Sequence, residues 1–141
     1  QTIKSFYGVD TQYLFDGLLS DLKENKKGFY CLNVQETDLA GHAEDPERYI
    51  DRLNVSDLNL GRILALLDEK DILIVMADHG NDPFIGHSKH TREQVPILIY
   101  HQGSRPQTFA ERDTMADIGA TAADFFGTKT TYGTSFLKEI I

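Results

Sequence analysis

Apolar residues along this 141-residue chain recur at helical and strand periods, and they predict the order helix, strand, helix, strand, strand, helix. A first helix is expected between Asp10 and Asn25, ending before Gly28. A longer helix is expected from Glu47 to Leu67. The apolar faces that predict them are Leu14, Phe15, Leu18, Leu19 and Leu22, then Ile50, Leu53, Leu60, Ile63, Leu64 and Leu67.

Three short apolar runs predict β-strands at Phe29–Val34, Ile72–Ala77 and Val95–Tyr100. Runs of this kind are typical of strands buried on both faces of a parallel sheet. Glu47–Leu67 is long enough to cross between the first two strands and so form a βαβ unit. Three strands are few for an α/β fold, which indicates either a small domain with exposed sheet edges or part of a larger sheet.

A final helix is expected after Thr114, which can cap it, and before Gly127, which suits a left-handed cap. The tail Tyr132–Leu137 fits no element. Since no repeat or linker interrupts the chain, we expect residues 1–141 to form a single domain segment.

Composition narrows the class of protein. The net charge of −8 is the wrong sign for binding nucleic acid, and no apolar stretch is long enough to span a membrane. We therefore expect neither nucleic acid nor a membrane as a partner. The single cysteine, Cys31, lies in a predicted buried strand, where packing is its expected role. One cysteine excludes a disulfide framework and is compatible with a reducing, cytoplasmic compartment, and the first residues do not resemble a secretory signal.

Polar residues collect where the predicted strands end, which is where open α/β proteins place their sites. The three groups are Glu36–His42, Asp78–Pro83 and His87–Glu93. Carboxylate and imidazole groups bind Zn²⁺, Mn²⁺ or Fe²⁺. The sequence therefore predicts a divalent metal centre.

The spacing of the candidate ligands leaves alternatives open. Asp78 and His79 are adjacent and point to opposite sides of an extended chain, so they favour two ions over one; alternatively, Asp78 caps a turn. Asp38 and His42 are four residues apart and can face one ion, or serve as a cap and a surface residue. His90 suits a third ligand, or a hydrogen-bonded structural histidine.

Two cations next to His90 are candidate phosphate contacts. Arg92 can hold a phosphate through its forked guanidinium, or pair with Glu93 or Asp82. Lys89 has the same two interpretations. Of the other histidines, His87 is assigned to the substrate side or the surface, and His101 to structure.

Four blocks resemble the carboxyl-terminal part of the phosphopentomutase family, within the alkaline phosphatase superfamily that also contains cofactor-independent phosphoglycerate mutase. They are Asp78–Pro83, His90–Pro96, Asp117–Thr121 and Tyr132–Leu137. The resemblance implies an incomplete portion of a three-layer αβα core with a mainly parallel sheet. It also implies an isomerase that interconverts ribose or deoxyribose 1-phosphate and 5-phosphate.

The resemblance further implies two divalent ions, Mn²⁺ or else Zn²⁺ or Mg²⁺. Asp38, His42 and His90 would bind one ion, and Asp78 with His79 would belong to the other. The nucleophilic Thr or Ser of the family is expected upstream, in a missing amino-terminal part, so the chain alone is expected to be inactive.

Two details depart from the phosphopentomutase pattern and resemble phosphoglycerate mutase: the four-residue spacing of Asp38 and His42, and Asn81 where Cys is common. Two further hypotheses stand beside the mutases. One is a self-sufficient metal-dependent phosphohydrolase, which needs no side-chain nucleophile because a metal-bound water attacks the substrate. The other is a non-catalytic binding module, either metal-binding or metal-free.

Overall fold

The computed structural model describes residues 4–24 and 27–141, and its elements run in the order α1, α2, α3, β1, β2, α4, α5. The chain divides into two compact units, residues 1–67 with 79–94 and residues 68–78 with 95–141. The bounds are α1 Thr11–Lys23, α2 Gln35–His42, α3 Pro46–Leu64, β1 Ile72–Met76, β2 Ile97–His101, α4 Ala116–Phe125 and α5 Leu137–Ile140.

The first unit is built on α1, α2 and α3, and two of these helices begin at aspartate caps. Asp10 accepts a hydrogen bond from the Tyr13 amide at 2.7 Å, and Asp45 accepts one from the Arg48 amide at 3.0 Å. Pro46 occupies the first turn of α3, where its fixed φ suits a helix start. Both long helices are therefore confirmed in place, although the predicted end of the first, Asn25, lies outside the described residues.

The buried face of α3 differs from the predicted apolar stripe. Ile63 is buried, but the Ile50 and Leu53 side chains of that stripe are about half exposed. The fully buried residue is Asn59, whose amide donates to Gln12 Oε1 on α1 at 3.0 Å. The buried face of α3 therefore includes the polar Asn59 and leaves out Ile50 and Leu53.

The predicted strand Phe29–Val34 is wrong. These residues lie outside regular structure, Phe29 is 68% exposed, and Cys31 is exposed rather than packed in a core. A strand needs a neighbour for its backbone hydrogen bonds, and among the described residues no strand pairs with this segment. The expected βαβ unit is therefore not formed.

The second unit holds a sheet of β1 and β2, and the pair is antiparallel rather than parallel. Ile72 lies opposite His101, and Met76 lies opposite Ile97. The residues that connect the two strands contain no helix, so they reverse the chain instead of crossing the sheet. The strands are also not buried on both faces, since Leu98 is 63% exposed.

Helix α4 and the tail form the rest of the second unit. The Thr114 hydroxyl accepts the Ala116 amide at 3.2 Å, and Gly127 ends the helix with φ +70°, as predicted. The tail, which fitted no element, is held by side chains of α4: the Asp117 carboxylate accepts the Thr134 amide at 2.8 Å. None of the helices in the described ranges has the length and apolarity to span a membrane.

Candidate metal centre

Helix α2 presents the first two candidate ligands on one face. It was not predicted, because eight residues with few apolar positions give little helical periodicity. Asp38 and His42 are one turn apart, and His42 Nε2 lies 3.4 Å from Asp38 Oδ2. The four-residue spacing therefore brings both side chains together, as the sequence indicated.

The loop between β1 and β2 presents two more histidines, brought together by a backbone bridge. The Thr91 amide donates to the Gly80 carbonyl at 3.0 Å, so the chain positions that follow His79 and His90 are paired. The two imidazole rings stack, with centroids 3.7 Å apart and an interplanar angle of 22°. His79 and His90, from opposite ends of this loop, thus lie side by side at the site.

All four side chains converge around the Asp38 carboxylate. Its Oδ1 lies 3.4 Å from His90 Nε2 and 3.8 Å from His79 Nε2. His90 Nε2 also lies 3.0 Å from His42 Nε2. One ligand atom each from Asp38, His79 and His90 falls within 4.8 Å of the others. One carboxylate oxygen with imidazole nitrogens is a donor set that fits a divalent transition metal.

Backbone carbonyls orient two of the imidazoles. His42 Nδ1 lies 2.7 Å from the Ser88 carbonyl oxygen, and His79 Nδ1 lies 3.1 Å from the Gly80 carbonyl oxygen. A carbonyl only accepts hydrogen bonds, so in the neutral tautomer that donates from Nδ1 to it, Nε2 carries no proton and can bind a metal. Metal-binding histidines in proteins are commonly oriented in this way.

Asn81 is a part of the site that sequence reasoning missed. It is buried, and its amide nitrogen donates to Asp38 Oδ1 at 2.7 Å and to the Asp38 backbone carbonyl at 3.1 Å. No spacing rule marks a neutral amide as part of a ligand cluster. In the sequence it was marked only by its position two residues after His79 and as a departure from the family pattern.

The surroundings of the cluster carry negative charge. The pKa of Tyr49 is raised, first by burial and then by the charges of Glu93, Asp38 and Asp82. Glu93 accepts the Thr91 hydroxyl at 2.7 Å, and this hydrogen bond is the main reason that its pKa is lowered. The three carboxylates that act on Tyr49 give this region negative charge, which favours a cation.

The remaining predicted residues lie elsewhere or on the surface. Asp78 is exposed and falls in the second compact unit, so its role as a ligand stays a prediction. Lys89 and Arg92 are exposed, and among the described residues the Arg92 guanidinium pairs with neither Glu93 nor Asp82. The other two histidines make local contacts: His87 Nδ1 accepts the Lys89 amide at 3.3 Å, and His101 Nδ1 lies 3.0 Å from the Asp71 carbonyl.

A comparison with protein families identifies a matching family. The family described as Metalloenzyme superfamily matches residues 2–130, which includes the four converging side chains and the sheet.

Proposed function

Given that this chain belongs to the Metalloenzyme superfamily, we propose that it provides the metal-binding part of a phosphoryl-transfer enzyme. The observation that supports the proposal is the convergence of ligand atoms from Asp38, His79 and His90 to within 4.8 Å of one another. His42 extends the set, since its Nε2 lies 3.0 Å from that of His90. Helix α2 and the loop before β2 would hold the ion between them.

A divalent ion held there would polarise phosphoryl oxygens and offset their negative charge. The chain's own residues prepare the place for it. Asp38 supplies the charge, and the carbonyls of Ser88 and Gly80 turn His42 and His79 so that Nε2 faces inward. The carboxylates of Glu93, Asp38 and Asp82 also disfavour an anionic substrate unless a cation is present.

The proposed reaction is that of a phosphopentomutase, an isomerase that moves a phosphoryl group between the 1- and 5-oxygens of ribose or deoxyribose. This specific assignment rests on the resemblance of the four sequence blocks. In this assignment Mn²⁺ is the preferred metal. Asp38, His42 and His90 would bind one ion, and His79 would serve a second ion with Asp78 instead of the first. The nucleophile would be a Thr or Ser upstream of this chain. In this proposal the chain contributes no nucleophile of its own.

Arg92 and Lys89 are the proposed contacts for the substrate phosphate. Both are exposed and lie in the same compact unit as the histidine cluster, within two residues of His90. The Arg92 guanidinium is not engaged by a carboxylate among the described residues, so its fork is available to a phosphate.

One observation favours a related mutase as a second candidate. Asp38 and His42 meet across one helical turn, at 3.4 Å, with the four-residue spacing that resembles cofactor-independent phosphoglycerate mutase. A phosphoglycerate in place of a pentose phosphate would use the same ligands.

Titration of this chain with Mn²⁺ and with Zn²⁺ by calorimetry tests the metal proposal. We expect binding by the wild-type chain, a loss of at least about tenfold in affinity for His90→Ala, and no change for the matched control His101→Ala. Absence of uptake of either ion would support a non-catalytic module instead.

Activity is tested on the full natural polypeptide that contains this chain. Conversion of ribose 1-phosphate to ribose 5-phosphate is the expected result. Conversion of 3-phosphoglycerate alone would replace the pentose assignment with the second candidate. Steady hydrolysis of an aryl phosphate by the isolated chain, abolished by His90→Ala, would instead identify a phosphohydrolase.

A further inference from the structure

We infer that Asn81 is a positioning residue that sets the orientation of the Asp38 carboxylate for metal binding, and that Gly41 makes room for it. This inference rests on the proposed metal function. Asn81 would not bind the metal itself. Its proposed role follows from the two hydrogen bonds of its side-chain amide.

Both hydrogens of the Asn81 amide are used on the same residue. Nδ2 donates to Asp38 Oδ1 at 2.7 Å and to the Asp38 backbone carbonyl at 3.1 Å. A single group that holds the main chain and the carboxylate of one residue restricts the side-chain torsions of that residue. Asp38 is therefore held in one rotamer, since any other would break the shorter bond.

The choice of an amide has a chemical consequence. A lysine or arginine in this position would neutralise the Asp38 carboxylate and compete with a cation for it. The neutral amide orients Oδ1 and leaves the full negative charge in place. The oriented Oδ1 is also the oxygen that faces His90 Nε2 at 3.4 Å and His79 Nε2 at 3.8 Å, and Oδ2 faces His42 Nε2 at 3.4 Å.

Gly41 is the second half of the arrangement. It is buried on α2, and a Cβ at this position would overlap the amide carbon and oxygen of Asn81. Gly is unfavourable in a helix interior, so its place here is explained by the close approach of the Asn81 side chain. The glycine of α2 and the asparagine of the loop thus form one complementary contact beside the ligands.

Asn81 is buried, unlike the exposed side chains of Lys89 and Arg92. Only 8% of its surface is accessible. A buried group of this kind could equally serve stability alone, so the test needs a buried asparagine whose role is structural. Asn59 in the same compact unit offers that control, because it is buried and bonds Gln12, Val55 and Arg62 rather than a ligand.

The experiment measures Mn²⁺ affinity by calorimetry alongside thermal unfolding for Asn81→Ala, Asn81→Leu and Asn59→Ala. Leu keeps the branched shape and removes both donors. We expect both Asn81 variants to bind Mn²⁺ about 10- to 100-fold more weakly than wild type. Asn59→Ala is expected to unfold at lower temperature while its Mn²⁺ affinity at a temperature where it is folded stays within about twofold.

Gly41→Ala provides a separate route that leaves the Asn81 residue in the chain. It should weaken Mn²⁺ binding by a similar factor because the new methyl displaces the amide. In the double variant, Asn81→Ala removes the side chain that the new methyl of Gly41→Ala would overlap. The double variant should therefore be more stable than Gly41→Ala alone and bind Mn²⁺ no more weakly, so the effects of the two substitutions on affinity are non-additive.

The outcomes separate the two proposals. If wild type binds Mn²⁺ and the folded Asn81 variants bind it equally well, the positioning role is overturned and the metal proposal stands. Additive losses in the double variant would also overturn it. A wild-type chain that takes up neither Mn²⁺ nor Zn²⁺ overturns the metal proposal, and this inference with it.

Discussion

His42 Nδ1 lies 2.7 Å from the carbonyl oxygen of Ser88, a residue 46 positions further along the chain. The contact joins the end of α2 to the loop that carries His90. One imidazole therefore has two roles, since Nδ1 anchors the loop and Nε2 faces Asp38 and His90.

The two roles of His42 can be separated by amide substitutions. His42→Asn keeps a donor close to the position of Nδ1 and removes Nε2, whereas His42→Gln does the reverse. We expect His42→Asn to keep the loop amides protected from hydrogen exchange while its Mn²⁺ affinity falls at least tenfold. His42→Gln is expected to lose this protection. Equal effects of both substitutions on both measurements would contradict this division.

Arg92 offers a test of the proposed phosphate contact. In the full polypeptide, Arg92→Ala is expected to raise KM for ribose 1-phosphate about 10- to 100-fold, because a forked contact to phosphate is lost. Arg92→Lys should bring KM only part of the way back to the wild-type value, since an ammonium group cannot make the paired contact. Arg105→Ala, which removes an exposed cation of the second unit, is the matched control. An unchanged KM for Arg92→Ala would exclude the contact.

Glu36 is expected to make the first unit sensitive to acid. Its pKa is lowered from 4.5 to about 2, first by the Thr11 amide, which donates to Oε2 at 2.8 Å, and also by Arg52 at 3.2 Å. A depressed carboxyl pKa contributes stability above pH 4.5 that is lost as the pH falls towards 2.

Replacement by glutamine keeps an acceptor for the helix but removes this titration. We expect Glu36→Gln to lower the free energy of unfolding by about 1 kcal/mol at pH 7 and by less at pH 2.5, measured by urea denaturation. Glu69→Gln, at an exposed position, should change neither value. A difference between wild type and Glu36→Gln that is constant from pH 7 to 2.5 would contradict the assignment.

Thr121 is expected to hold the tail of the second unit. Its buried hydroxyl donates to the Asp117 carbonyl at 2.7 Å and accepts the Phe136 amide at 3.1 Å. Thr121→Val keeps the shape but leaves a buried amide without its acceptor, so stability should fall by about 1–3 kcal/mol in thermal or urea unfolding. Thr121→Ser should recover most of the lost stability. If Thr121→Val is as stable as wild type, Thr121 does not hold the tail.

The long helices were predictable because their signals are local. Asp10 caps α1, Asp45 with Pro46 starts α3, and both helices have a 3.6-residue apolar period. The same reasoning failed for Phe29–Val34, since an apolar run does not show whether a partner strand is available. The direction of pairing between β1 and β2 is likewise decided by the chain that joins them.

More of the candidate site than of the sheet could be predicted from the sequence. Asp38, His42, His79 and His90 were singled out by residue type and spacing, and the structure brings all four together. Their binding of an ion remains a prediction. Asn81 was not foreseen as a contributor, because the role of a neutral amide depends on what faces it in space.

The bridge between Gly80 and Thr91 has a consequence for changes in the length of this loop. It fastens both ends of the intervening segment, whose tip carries the exposed Phe84 and Ile85. Lengthening a loop costs little, about 0.6 kcal/mol for each doubling. Insertions between residues 83 and 86 are therefore expected to leave the imidazoles of His79 and His90 in place.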